Sequence, residues 1–364
     1  MWRFVIFFLL AFGVVFGSHY LVYSSWLRLF PILSNHKRLI FWFFVFASSS
    51  FIISSWLSHY VDNELTRIYY YATFIWLSFF VYFFFASIFL LVIQALLRNM
   101  PVTSIAAAVF LLSAVLSTVG IYSAFGLQVR REKVEIENIP NAWRGRKIVQ
   151  ISDVHLGQIH GVKRLRQIQS ELDLIKPDII FITGDLFDGM DGHLDLFVGD
   201  LQKIQAPLGV YFVSGNHEFY LGLEETEKVL AKTGIVWLKE KVVELDGVQI
   251  IGRNFRSNNG VNDLTQELQS MPDFDAQKIN ILLYHVPEKI TEAERAGIDL
   301  MLSGHTHKGQ IYPFGWITKA IFKGFDYGLL RYKSLSVNIS SGAGTWGPPM
   351  RTSGQNEIVE IELK

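Results

Sequence analysis

Eight side chains able to hold or serve a metal ion fall at the ends of five short apolar runs in the back half of this 364-residue chain. The runs read KIVQISDVH, DIIFITGD, GVYFVSGNH, INILLYH and DLMLSGHTH. They close on Asp153 and His155, on Asp185, on Asn216 and His217, on His285, and on His305 and His307. Imidazole nitrogens mixed with carboxylate and amide oxygens suit manganese, iron or zinc better than calcium. Residues two apart in an extended segment face the same way, so Asp153 with His155 can serve one ion, and His305 with His307 forms a second such pair. Asp185 follows Gly184, which lets the chain turn sharply, and its two carboxylate oxygens can bridge two cations. The chain has no cysteine, so neither disulfides nor thiolate ligands are available, and any metal must sit on nitrogen and oxygen.

Runs this short and this rich in β-branched and aliphatic residues read as buried strands. Ligands at the carboxyl ends of several such strands converge on one edge of a sheet, where α/β proteins keep their sites. Between the runs, 161–175, 193–205, 223–233, 261–270 and 287–296 carry helical patterns, which predicts α/β layering. VVELDGVQIIG and EIVEIEL alternate polar with apolar residues and add further sheet.

The front of the chain differs. Residues 4–27, 39–61, 68–97 and 102–129 are strongly apolar and almost free of charge, each long enough for the roughly 20 residues a bilayer-spanning helix needs. Trp26, Trp56, Tyr60 and Tyr69–Tyr71 sit near the ends of these stretches, as interfacial anchors do. His19, His36 and His59 also fall near span ends and read as interfacial. The spans lack the buried charge that ion paths and proton relays use, so the bundle reads as an anchor or a lipid-access scaffold. The division is therefore a transmembrane region of about four helices over 1–129 and a catalytic domain over 130–364. With four spans, Arg3, Arg67, Arg130, Arg131 and Lys133 share the domain's side and Arg28, Lys37, Arg38 and Arg98 lie opposite, an excess that places the domain in the cytoplasm of a multi-pass membrane protein. Positions 130–364 hold 27 basic and 31 acidic residues, and this mild acidity gives no footprint for nucleic acid.

The order DVH, GDLFD, GNHE, YH, GHTH resembles the calcineurin-like metallophosphoesterase superfamily over roughly 145–345, with all five blocks intact. The variants GHTHKGQIYPFG and SSGAGTWGPPMR are similar to its membrane-associated bacterial branch, which includes enzymes and candidates for cleaving UDP-2,3-diacylglucosamine. The resemblance implies a four-layer α/β/β/α sandwich with two divalent metal ions at its edge. It implies that Asp153, His155, Asp185 and His307 hold the first ion. Asp185, Asn216, His285 and His305 would hold the second, Asp185 bridging. It makes His217 the catalytic histidine and Asp188 the residue that orients it.

Two divalent ions about 3.5–4 Å apart neutralise a phosphate ester, align nucleophile and leaving group, and make hydroxide available near neutral pH. A histidine such as His217 can then steady charge or protonate the leaving oxygen. The expected activity is hydrolysis of a phosphate ester or pyrophosphate bond in a phosphorylated small molecule or a lipid-linked substrate such as UDP-2,3-diacylglucosamine. Its alternatives are a phosphodiesterase or phosphatase for a soluble nucleotide or phosphoprotein, and a non-catalytic membrane scaffold that binds metal. His160 and His193 read as surface residues, whereas Lys308 and Arg253 are candidate cations for the phosphate. Aromatics interleave with lysines and an arginine over 311–332, a pattern shared by a core-packed insertion and an amphipathic segment at a bilayer surface.

Overall fold

The computed structural model of the chain describes residues 2–61, 63–96, 102–189, 193–256 and 263–364, with side chains from residue 12 onward. The chain forms two compact units: one runs up to Tyr122 and includes Gly347–Met350, and the other comprises Ser123–Trp346 and Arg351–Lys364.

In the first unit the apolar stretches become α1 (Trp2–Leu29), α2 (Lys37–Tyr60), α3 (Glu64–Leu96) and α4 (Val102–Phe125). A helix satisfies every backbone donor and acceptor within the segment, the requirement hydrocarbon imposes. Among the described residues three helices, Pro31–Tyr60, Glu64–Leu96 and Val102–Phe125, are long and apolar enough to cross a membrane. This is one fewer than the four apolar stretches. The remaining stretch is α1, also helical, whose first side chains lie outside the description. Serines tie the helices to one another and to themselves: Ser25 Oγ donates to Ser87 Oγ at 2.9 Å, and Ser48 and Ser50 bond carbonyls of their own helix. His19 departs from the interfacial expectation. Its ring is buried, stacks on Phe80 at 3.7 Å between centroids and lies 3.2 Å from Trp76 Nε1, which donates to it.

The second unit holds twelve strands: β1 (Gln128–Val134), β2 (Lys147–Ile151), β3 (Ile179–Thr183), β4 (Val210–Val213), β5 (Ile235–Trp237), β6 (Val242–Leu245), β7 (Val248–Arg253), β8 (Ile279–Tyr284), β9 (Leu300–Ser303), β10 (Gly328–Tyr332), β11 (Leu335–Ile339) and β12 (Glu357–Leu363). They form two six-stranded sheets, ordered β1-β12-β2-β3-β4-β5 and β10-β11-β9-β8-β7-β6. The neighbours β2, β3 and β4 run parallel, as do β7, β8 and β9, so each sheet gathers its carboxyl ends on one edge. The helices are α5 (Val162–Ile175), α6 (Val198–Leu201), α7 (Asn216–Leu221), α8 (Leu223–Leu230), α9 (Leu264–Gln269), α10 (Ile290–Arg295) and α11 (Gly315–Ile321).

Three apolar layers explain the stacking. Alternate residues of a strand face opposite sides of its sheet. On β2, Val149 and Ile151 pack with Leu165, Ile168 and Leu172 of α5 and with Val229 and Leu230 of α8. The intervening Ile148, with Ile179, Phe181 and Val213, packs against Ile250, Ile281, Leu283 and Leu302 of the second sheet. On that sheet's far side Ile251, Leu282 and Met301 meet Leu264, Leu268, Ile290 and Ala293 of α9 and α10. The result is the four-layer α/β/β/α sandwich, in which each fully buried aliphatic side chain stabilises by about 1.5–3 kcal/mol. The helical pattern over 193–205 resolves into a 3₁₀ turn (Leu194–Phe197) followed by the single turn α6. The pattern over 261–270 begins at Leu264, its first two residues lying outside the described ones.

Candidate metal centre

Every expected ligand follows the carboxyl end of a parallel strand. Asp153 comes two residues after β2, Asp185 two after β3, Asn216 three after β4, His285 immediately after β8 and His305 two after β9. To turn these side chains onto one rim, the backbone adopts the left-handed region at Asp153, His155, Asp185, His305 and His307, with φ of 49–69°. That conformation costs of order 1–3 kcal/mol per non-glycine residue and persists only where the surroundings enforce it, which marks functional sites. Gly184 (φ +86°) is needed both for its conformation and for space, since a Cβ there would lie 2.6 Å from His285 Nδ1. A Cβ on Gly215 would run into the Asp185 carboxylate.

The side chains fall into three overlapping groups, each with ligand atoms within 4.8 Å of one another: Asp153, His155 and His307; Asp185, His285 and His305; and His155, Asp185 and His217, which shares a member with each of the others. In the first, His155 Nε2 and His307 Nε2 are 3.1 Å apart and Asp153 Oδ1 is 3.4 Å from His307 Nε2. In the second, His305 Nδ1 is 3.2 Å from His285 Nε2, which is 3.1 Å from Asp185 Oδ2. Asn216 Oδ1 and His155 Nδ1 are buried without a hydrogen bond, Asp188 Oδ1 standing 3.6 Å from the latter. Facing imidazole nitrogens, converging carboxylates and an orphaned amide oxygen fit a pair of divalent cations on nitrogen and oxygen ligands.

The electrostatics agree with this reading. Burial opposes a charged His285 ring, but the charge and hydrogen bond of Asp185 outweigh it and lift the ring to about 10. Burial likewise opposes ionisation of Asp185, yet His285 holds its carboxyl well below the usual range. Burial, then the charge of His285, drives His305 down to about 3, and burial with the charges of His155 and Arg351 keeps His307 well below 6.5. His155 is also raised, against its burial, by Asp188 and Asp185, so the carboxylates raise some of these rings while burial and neighbouring charge lower the others. With cations bound, each ring serves as a neutral ligand and each carboxylate as an anion.

Asp188 does meet His217, but through its backbone carbonyl, which makes a short contact with His217 Nδ1, while its carboxylate faces His155. His217 Nδ1–H therefore donates to that carbonyl, which leaves Nε2 as the nitrogen able to exchange a proton. Glu218 was left without a role by the sequence, yet it is fully buried and clamps the site. Its Oε2 accepts from the backbone N–H of Asp185 (2.9 Å) and Gly215 (2.7 Å), and its Oε1 from Phe187 N–H (3.0 Å). Burial, then the Asp185 charge, pushes its carboxyl up to about 7. Arg351, also missed, is buried behind His307. Its guanidinium donates to the His307 carbonyl (3.1 Å) and the Gly344 carbonyl (2.7 Å) and reaches 3.3 Å from His307 Nδ1. Asn254 accepts from Ser214 N–H and Trp237 Nε1–H, pinning the end of β4.

Two expectations fail. His160 is buried rather than superficial, its Nε2 accepting from Thr345 N–H at 2.9 Å. Arg253, the last residue of β7, is buried, bonded to Glu267 and stacked over Tyr284, so its charge is already matched inside the fold. His193 is exposed as expected, and Lys308 places its Nζ 4.0 Å from the Tyr327 ring centre.

A family model for calcineurin-like phosphoesterases matches residues 146–309, a span that contains every expected metal ligand. An uncharacterized metallophosphoesterase of Aquifex aeolicus is 34% identical over 256 residues, covering 67% of this chain and 96% of its own length. The chain belongs to the calcineurin-like metallophosphoesterase family. This metallophosphoesterase is also 33% identical over 236 residues to an uncharacterized metallophosphoesterase of Campylobacter jejuni, covering 64% of this chain and 63% of that one. A transmembrane protein with metallophosphoesterase domain from Danio rerio is 31% identical over 275 residues, or 70% of this chain and 61% of its own. Family membership and the converging ligands make the chain a metal-dependent hydrolase of phosphoester bonds.

Proposed function

We propose that this metallophosphoesterase is anchored in a membrane by its apolar helices and hydrolyses a phosphate ester or pyrophosphate bond in a lipid-linked substrate. Asp153, His155, Asp185 and His307 would hold one divalent ion and Asp185, Asn216, His285 and His305 the other. Their grouping into sets that share Asp185 and His155 supports this assignment. When bound, the two ions supply Lewis-acid neutralisation of the phosphate and a source of hydroxide near neutral pH. Glu218 holds the Asp185 backbone in place, and Arg351 holds that of His307. His217, fixed through Nδ1 by the Asp188 carbonyl, has Nε2 left to hold a proton and pass it to the leaving oxygen. The charge excess in the sequence favours the cytoplasmic face, which a reporter fused after Lys364 tests.

The observation that carries the lipid reading is the pair of exposed aromatics around His217. Trp346 is 58% exposed with its ring 6.1 Å from that of His217, and Tyr220 is 67% exposed at 6.0 Å. Such surface next to the catalytic histidine would gain most from covering an apolar group of the substrate. The test compares UDP-2,3-diacylglucosamine with bis-p-nitrophenyl phosphate, using the full chain in mixed micelles. Trp346→Ala is expected to raise KM for the diacyl substrate about tenfold, the loss of part of one buried aromatic contact, and to leave the soluble ester within about twofold. Equal losses on both substrates would remove the lipid from the proposal.

A further inference from the structure

The turn that carries His305 and His307 leads within a few residues into α11, and the two stay together. Phe322, at the end of α11, stands edge-on to His305 with ring centroids 6.0 Å apart. The other side of this short helix faces out. Trp316 is 67% exposed, Ile317 55% and Ile321 65%, and Tyr312, packed at 5.1 Å on Trp316, is 50% exposed. At 100° per residue, 316, 317, 320 and 321 form one continuous face, and Lys319 flanks it with Lys323 just beyond the helix. Contiguous exposed apolar surface of this kind, unlike singly scattered apolar residues, marks interaction sites.

We propose that this face of α11 inserts into the anionic interface of the bilayer that carries the chain's own apolar helices, setting the rim of the metal centre against the headgroups. Two features of the molecule select a bilayer over a protein partner. Trp beside Ile and Lys is the composition of interfacial helices, rings and aliphatic chains entering the acyl boundary while ammonium groups stay with lipid phosphates. α4, apolar and long enough to span, ends at Phe125 and β1 begins at Gln128, so the tether from such a helix to the sheet is two residues. A tether that short keeps the local concentration of lipid surface high, and a modest apolar face then suffices for docking. The inference rests on the membrane reading above and not on its choice of substrate.

The absence of cysteine makes a direct test available. Ile317→Cys in the full chain, carrying a nitroxide and reconstituted in phosphatidylglycerol-containing nanodiscs, is compared with Leu174→Cys on α5, a position 77% exposed. Collision rates with oxygen and with a neutral nickel chelate are read by electron paramagnetic resonance. The proposal expects oxygen to win at 317 and the nickel chelate at 174, and the same oxygen preference at Ile321→Cys. A nickel-accessible label at both 317 and 321 overturns it, and so does a label shielded from both reagents, the mark of a protein contact. Manganese-dependent hydrolysis of bis-p-nitrophenyl phosphate by the same labelled protein reports the enzyme separately. Immersion without hydrolysis would leave the docking face intact and remove the catalytic reading, whereas hydrolysis without immersion would do the reverse.

Discussion

Glu218 gives the sharpest perturbation because its two oxygens satisfy three buried backbone donors at once, those of Asp185, Gly215 and Phe187. Glu218→Ala leaves all three without acceptors where Glu218, Asp185 and Phe187 are themselves buried. An unsatisfied buried donor costs about 1–3 kcal/mol, so the loss is of order 5 kcal/mol, among the largest single-residue effects. Glu218→Gln keeps one oxygen, which can serve Asp185 and Gly215, and turns its amide toward Phe187 N–H, for a loss of about 2 kcal/mol. At about 2–4 °C per kcal/mol for a domain of this size, alanine should lower the melting temperature by roughly 15 °C and glutamine by roughly 6 °C. The assay is thermal unfolding of the detergent-solubilised chain, read with manganese titration, because a loosened Asp185 backbone should weaken metal binding in the same order. An alanine variant that melts within about 2 °C of the parent and binds manganese equally well would refute the clamp, since three orphaned donors could not then be present.

Asp185→Ala should remove the shared ligand and lower kcat/KM on bis-p-nitrophenyl phosphate by about a thousandfold or more, with bound manganese falling in elemental analysis. Gly184→Ala puts a methyl group 2.6 Å from His285 Nδ1 at a φ of +86°, so it should destabilise by about 2 kcal/mol or more in chemical denaturation and reduce manganese affinity. Arg351→Met strips the donors from the His307 and Gly344 carbonyls and should cost about 3 kcal/mol, with kcat falling while the soluble-substrate KM holds. Removing metal with a chelator should lower the melting temperature, and manganese at about a hundred times its dissociation constant should restore about 2.7 kcal/mol, measured by the shift in the unfolding midpoint.

Much of the centre was legible in the sequence because parallel strands place their last residues on one edge. Asp153, Asp185, Asn216, His285 and His305 each follow a buried run, and those runs are β2, β3 and β4 of one sheet and β8 and β9 of the other, a division the runs themselves do not reveal. What stayed hidden depends on partners that only the fold brings together. Glu218 looks like any glutamate in an early helical turn, and nothing local shows that donors from 185 and 187 will meet it. Arg351 lies 44 residues from His307, and His160 lies 185 residues from the Thr345 that buries it. Arg253 misled for the same reason, its charge being consumed by Glu267 and the Tyr284 ring. α7 escapes a reading by pattern because this six-residue helix is started by the Gly215 N–H donating to the Glu218 carboxylate, not by an apolar stripe. At Asp188 it is the backbone carbonyl, which every residue has, that contacts His217, while the carboxylate the sequence singles out faces His155.

The central claim is a pair of metal ions sharing Asp185, and it is tested most directly by counting manganese per chain in the purified 364-residue chain while following bis-p-nitrophenyl phosphate hydrolysis. The account expects two bound ions and metal-dependent turnover, with both lost together in Asp185→Ala. Full turnover in Asp185→Ala, or a protein that binds no manganese, iron or zinc under any loading condition, would contradict it.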